Sequence, residues 1–450
     1  MSTKMRYNSN HKRTTQKNIL IMKKLLSIAV LLVPMCTITA QNSLVYKAQE
    51  KINENKLDEA AAVMETALTS GKTKNMAGAY NMAGVCQGKI LSAEIAKAAQ
   101  QQPLDTMKFI SALNKAVEYF EKSYKLDNAP DEKGKIKPKY NKDVEDPFQS
   151  NVKMISQMMN YYAYAGQFLN QNGDQKGAYD AFEKYLEMPK SSVFTKEQTD
   201  SIYKSNSAEY YTIAFYTTLL GYQLKDDDKA LKHIDFALQD TAQKNKSDLY
   251  FIKAQTLLNK KDTAKWVKCV TEAITALPNN TQFVQNLLYY YSIKNLTEEA
   301  KSTAEEMIAK APNNKNAWYS AGCIYLNMAK DFTKAREYLQ KALDIDANFP
   351  DANYNLGVTY VNELISKKDQ FVTDPRNAKY KTDVEKVKDY YRKALPYFEK
   401  TRELIPDQPQ VWGLSLKNIY YNLEMKDKEK EIDQELSSAG IANPNQENKK

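Results

Sequence analysis

Apolar residues recur along the chain at helical spacing, and small ones return at fixed places. The pattern is clearest in the second half, where it has a period of 34 residues. Pro278, Asn279 and Asn280 are followed 34 positions later by Pro312, Asn313 and Asn314. After the second triplet come Trp318, Ala321, Gly322, Tyr325, Ala335, Leu339 and Ala342. Read physically, each period is two antiparallel helices, A and B. They cross closely where one presents Gly or Ala, and large side chains fill the space on either side. A proline after helix B stops it and turns the chain into the next A helix. One such pair cannot bury its apolar face alone, so pairs must stack. The predicted fold is therefore all-α, an α-solenoid.

The pattern extends over about residues 44 to 437. Ala48, Ala60, Met64 and Ala67 mark a first unit. Tyr80, Ala83 and Gly84, then Ala116, Phe120 and Ser123 after roughly 20 extra residues, mark the second. Tyr162, Ala165, Gly166, Leu169, Ala178 and Phe182 follow, ending near Pro189, and a weaker unit holds Phe215, Ala230, Ile234 and Ala237. The fifth uses Tyr250, Ala254, Leu257, Val270, Ala273 and Pro278, and the sixth Leu288, Tyr291, Ala300, Ala304 and Pro312. After the Trp318 unit comes an eighth, with Leu356, Gly357 and Tyr360, then Ala394, Phe398 and Pro406; a half-unit starts at Trp412. The succession of large aromatic, small-small, Tyr, Ala, large apolar and Ala resembles the tetratricopeptide repeat, in seven or eight copies of uneven quality. A secreted bacterial protein of that family is the expectation.

Two stretches interrupt the array. Residues 126–150, with Asp131, Glu132, Pro138, Tyr140, Asp143 and Pro147, read as a polar loop. Residues 365–385, with Lys367, Lys368, Pro375 and Arg376, read as an extension of the eighth A helix that then loops back. From Ser438 to Lys450 the composition is that of a disordered polar tail. Domain organisation is thus an N-terminal extension over 1–40, one solenoid over 41–437, and the tail over 438–450.

Scarcity of glycine, 13 in 450, supports a helical chain. The formal charge of +9 invites a nucleic-acid reading, and its distribution removes that reading. The first 40 residues hold seven Lys and Arg and no acid, leaving 57 basic against 55 acidic residues in the rest. No excess remains to neutralise phosphates. Within the basic segment, Lys23 and Lys24 precede an apolar run from Leu25 to Val33 and the small-residue exit Thr37-Ile38-Thr39-Ala40. This is the build of a secretory signal peptide cleaved after Ala40, with Met22 where such a signal normally begins. The run is shorter than the ~20 residues a bilayer span requires. Localisation in the periplasm or otherwise exported is expected, with peripheral attachment to the outer membrane as one option.

Chemistry is sparse. Cys86, Cys269 and Cys323 lie far apart on helical patterns and form no disulfide framework or metal motif. After the signal the sole histidine is His233, which rules out paired-His zinc sites. Gly84-Val85-Cys86-Gln87-Gly88-Lys89-Ile90 is one residue short of a phosphate loop and puts Ile where Ser or Thr would hold magnesium. Asp226-Asp227-Asp228 lacks calcium-loop spacing. Glu298-Glu299 and Glu305-Glu306 sit among Lys, Ser and Thr on solvated faces. No enzyme, cofactor or metal is expected.

The resemblance implies that A helices line a concave surface suited to an extended peptide or partner helix. Carried over position by position, it assigns to that groove Phe251 and Gln255, Gln285 and Tyr289, Tyr319 with Cys323 and Asn327, and Tyr354 with Val358 and Asn362. Tyr420 and Tyr421 close the row. The family's chaperone-tail clamp uses Lys and Asn at the first two positions, and no unit here shows that pair. A Tyr/Gln/Asn groove favours mixed apolar and hydrogen-bonded recognition of a protein partner in a non-enzymatic envelope adaptor. The alternative is a small-ligand or glycan-binding solenoid.

Overall fold

The computed structural model describes residues 43–100, 102–141, 150–242, 245–277 and 280–441, and divides the chain into two compact units, up to Ala242 and from Gln243. The predicted signal segment, Pro278, Asn279, Asp143, Pro147 and the tail beyond 441 lie outside the described residues. Among the described residues there is no strand, only an isolated bridge between Asn141 and Ser150.

The first unit holds α1 (Ser43–Asn53), α2 (Leu57–Thr69), α3 (Met76–Ala99), α4 (Thr106–Asp127), α5 (Asn151–Gln171), α6 (Gln175–Glu187), α7 (Lys196–Ser205), α8 (Ser207–Gln223), α9 (Asp227–Lys232) and α10 (Ile234–Ala237). Consecutive helices pack as pairs, α1 with α2, α3 with α4, α5 with α6, and α8 with the broken helix α9–α10. The roughly 20 extra residues of the second unit are helix, for α3 and α4 run to 24 and 22 residues. A 3₁₀ turn at Met188–Lys190 and the additional helix α7, opened by a Thr195–Gln198 capping box, were not foreseen. They explain the weak fourth unit. Ala178 and Phe182 recur 52 residues later as Ala230 and Ile234, and the buried Thr217 and Thr218 stand where the previous unit has Ala165 and Gly166.

The second unit holds α11 (Lys246–Asn259), α12 (Thr263–Ala276), α13 (Gln282–Lys294), α14 (Thr297–Lys310), α15 (Lys315–Ile324), α16 (Phe332–Ile345), α17 (Pro350–Ser366), α18 (Tyr380–Leu404), α19 (Pro409–Asn422) and α20 (Lys426–Ser438). They form five successive pairs, and the half-unit begun at Trp412 is completed by α20. The reading of 365–385 needs correction. The A helix α17 ends at Ser366, and it is the B helix α18, at 25 residues, that is long. The intervening loop is pinned by Asp383, whose buried carboxylate accepts from the Val372 N–H at 3.1 Å and pairs with Lys386 at 2.9 Å. Residues 128–141 do form a loop without helix, and Asp127 organises it by accepting from the N–H groups of Lys139 and Tyr140 and from Asn141.

Close crossing fixes each pair. A Cβ at Gly84 would lie 2.8 Å from the Phe120 ring, and one at Gly322 would lie 2.6 Å from Leu339 Cγ. Both partners are fully buried. One unit breaks period in an instructive way. Tyr291 precedes the left-handed Asn295 by four residues, whereas Tyr325 precedes the left-handed Lys330 by five. The extra residue is absorbed in a π turn, Tyr325–Ala329, so the helix ends without shifting the buried face.

Candidate functional site

Every residue assigned to the groove belongs to the second unit, and burial divides them. On α11 and α13 the row is open. Phe251 is 53% exposed and Tyr289 69%, Gln285 is exposed, and Gln255 is half-buried within 3.5 Å of Asn259. The two helices hold one register because Tyr250 meets Phe283 edge-on, ring centroids 6.4 Å apart. Apolar residues outside the prediction widen the exposed surface, namely Leu258 at the end of α11 and Ile293 at the end of α13.

At α15 the row closes. Tyr319 and Cys323 are buried. Phe349 packs on the Tyr319 ring at 5.0 Å, and Asn355 donates to the Tyr319 hydroxyl at 2.9 Å and toward Cys323 Sγ at 3.5 Å. Burial pushes the Cys323 thiol up to about 12 and holds the Tyr319 hydroxyl well above its ordinary range, so neither ionises near neutrality. Asn327 stays exposed on the π turn. Tyr354 is half-buried, edge-on to Phe398 at 5.2 Å, while Val358 and Asn362 are half-buried on the same helix. Tyr420 is buried, donating to Glu399 at 2.9 Å beneath Lys428, and beside it Tyr421 is 66% exposed. The structure thus leaves Phe251, Gln285 and Tyr289 exposed on α11 and α13, and turns Tyr319 and Tyr420 into packing residues.

The weighed chemical motifs have local explanations. Gly84–Ile90 lies inside α3, with no loop for a phosphate. Asp226 caps α9 by accepting from the Lys229 N–H at 3.0 Å. Glu298 pairs with Lys301, and Glu306 with Lys310. His233 is buried at the break between α9 and α10, 3.8 Å from Glu187, and burial lowers its pKa. Among the described residues no group of three or more His, Cys, Asp or Glu side chains is arranged to hold a metal ion, and no helix is long and apolar enough to cross a membrane.

Close-crossing helix pairs in series define a helical-repeat protein. Residues 247–280 and 316–349, which span α11–α12 and α15–α16, match the tetratricopeptide repeat model and support that family. Similar solved structures include a TPR repeats protein from Bacteroides fragilis NCTC 9343, 16% identical over 60% of this chain and 98% of that one, TM-score 0.34. MamA from Desulfovibrio magneticus RS-1 is 18% identical over 44% of this chain and 96% of its own, TM-score 0.26. The TPR2AB domain of yeast Sti1, in a complex with pHSP90, is 15% identical over 74% and 98%, TM-score 0.22. No curated protein matches the chain.

Proposed function

We propose that the chain is a non-enzymatic scaffold of the bacterial cell envelope, exported by its N-terminal segment, that holds a protein partner on the A-helix face of α11 and α13. The observation that carries this is the pair Phe251 and Tyr289, left half to two-thirds exposed on successive A helices, each with a glutamine four residues away on its own helix, Gln255 and Gln285. Large aromatics that could have been buried, flanked by carboxamides, form a surface suited to anchoring an apolar side chain while pairing with backbone amides. The groove this reading uses is shorter than the row of positions along the array, because α15 contributes buried side chains.

Photo-crosslinking residues placed at 251 and at 289 in cells test it. Both should capture the same protein, Phe251→Ala should abolish capture at 289, and position 46 on α1 should not capture it. Capture at neither position, with the chain exported and folded, refutes the reading. Intact mass of the exported chain should begin at Gln41; a mature form beginning at Ser2 refutes cleavage.

A further inference from the structure

The first unit carries a trough that the reading above does not use. α3 and α4 are nearly twice as long as the 13-residue α6. The first turns of α4 and the connection before it therefore form a wall facing the α5–α6 turn. Between them is a cavity of about 1270 Å³, beyond the roughly 300–1,000 Å³ usual for small-molecule pockets. Tyr164, Phe168 and Leu169 of α5 make its floor, Met107 and Ile110 of α4 one side, and Ala181 of α6 the other. From Thr106 to Glu118 the trough follows α4 for about 18 Å at 1.5 Å per residue.

The walls are already set. Phe168 stacks on Tyr164 at 6.4 Å, and Tyr164 meets Phe109 edge-on at 6.1 Å. Tyr162 donates to Asn114 at 2.9 Å. The end wall, Gln102 to Leu104, is held by Glu94, a side chain only 2% exposed, which accepts from the Asp105 N–H at 3.2 Å and pairs with Lys97 at 2.7 Å. No described residue of the unit covers Met107, which is 82% exposed.

The charge around the trough is largely spent within the unit. Lys115 pairs with Glu65 at 2.8 Å and Glu118 with Lys122 at 2.6 Å; Asp174 caps α6 through the Gly177 N–H; Asp180 lies 3.9 Å from Lys229. What remains at the rim is carboxamide, Gln102, Gln167 and Gln171, each able to donate and accept at once, and a single cation, Lys184. A phosphate would call for a cluster of unspent cations where Lys184 stands alone, whereas carboxamide donors and acceptors over an aromatic and aliphatic floor match a peptide backbone with apolar side chains.

We propose that this trough is a second binding site, distinct from the α11–α13 face, and that it takes an uncharged, apolar peptide segment of about five to six extended residues at about 3.3 Å each. Panning a phage-displayed random dodecapeptide library on the full chain tests this. The enriched sequences should carry three or more apolar residues and no charge within a six-residue core. The corresponding synthetic peptides should bind roughly tenfold more weakly to Met107→Glu/Ile110→Glu, since a carboxylate would be buried beside the ligand. Met107→Glu alone, at a position too exposed to disturb folding, should weaken them in the same direction. Phe251→Ala/Tyr289→Ala should leave them unchanged, which separates this site from the proposed scaffold face. Peptides insensitive to both glutamate variants would overturn the proposal. So would failure to enrich any peptide while laurate, titrated as a probe, protects Met107 from oxidation, a result that assigns the trough to an acyl chain.

Discussion

Replacing Gly357 with alanine sets packing against helix propensity. On α17 an added Cβ would stand 2.6 Å from Phe398 Cε2 and 2.8 Å from Cδ2, about 1 Å inside the usual carbon–carbon separation. The ring is a poor candidate to retreat. It is 1% exposed, edge-on to Tyr354, and part of the core built with Trp412, Leu416 and Ile419. Overpacking of this kind costs roughly 2 kcal/mol, while Gly to Ala within a helix returns about 1 kcal/mol. The net is a loss of about 1 kcal/mol, equivalent to a fall of about 2–4 °C in the thermal midpoint of a unit of this size. Gly88→Ala is the contrasting case. Its Cβ would meet only the terminal methyl of Met158, at 3.2 Å, which swings aside easily. There propensity wins, and the midpoint should rise. Urea and thermal denaturation followed by far-ultraviolet circular dichroism measure both. Phe398→Leu introduced into Gly357→Ala should recover stability, giving a coupling energy within about 0.5–3 kcal/mol. If both alanines shift the midpoint in the same direction, or Phe398→Leu adds its full cost to Gly357→Ala, close crossing is not what the glycine serves.

Three further outcomes follow from burial and register. Burial lowers the pKa of His233, so the folded chain keeps it neutral while the unfolded chain takes up a proton below about pH 6.5. Stability should accordingly be level above that pH and decline below it, and His233→Phe should flatten the decline; an unchanged profile in the variant refutes the assignment. Cys86 and Cys323, their thiols pushed up to about 12 by burial, and the buried Cys269 should react with a thiol-specific disulfide reagent at pH 8 only after denaturant is added. Native-state labelling of any of the three would overturn that placement. Deleting Asn327 restores the four-residue spacing from Tyr325 to the left-handed turn, so the π turn should become regular α-helix with no fall in the melting midpoint. A marked fall would show that the turn is more than an absorbed insertion.

How much was legible depended on whether the determining partner is near in sequence. Gly84, Gly166, Gly322 and Gly357 announced the helix crossings because the partner of each, Phe120, Phe182, Leu339 and Phe398, comes on the next helix. The fourth unit was faint because threonines replaced its small residues and α7 stretched its spacing. The long α18 was misplaced onto α17. Pro375 and the charges around it mark a break, but the partner that anchors the break, Asp383, lies within the following helix. Of the predicted groove, Phe251 and Tyr289 were placed on open surface, whereas Tyr319 was lost to Asn355 and Phe349, supplied by the next unit.

From the sequence by itself came the helix pairs, their small-residue crossings, the near-neutral balance beyond residue 40, and the lack of any motif for metal, phosphate or nucleophilic chemistry. These are properties of local period and composition, readable within one or two helices. Only the tertiary structure decided which aromatics stay exposed on α11 and α13, where the row closes at α15, and that lengthened α3 and α4 wall a trough over α5. The physical reason is that exposure is not a property of a residue and its neighbours in sequence. It depends on which side chain from a later turn or helix is laid over it, and a period of 34 residues is nearly silent about that.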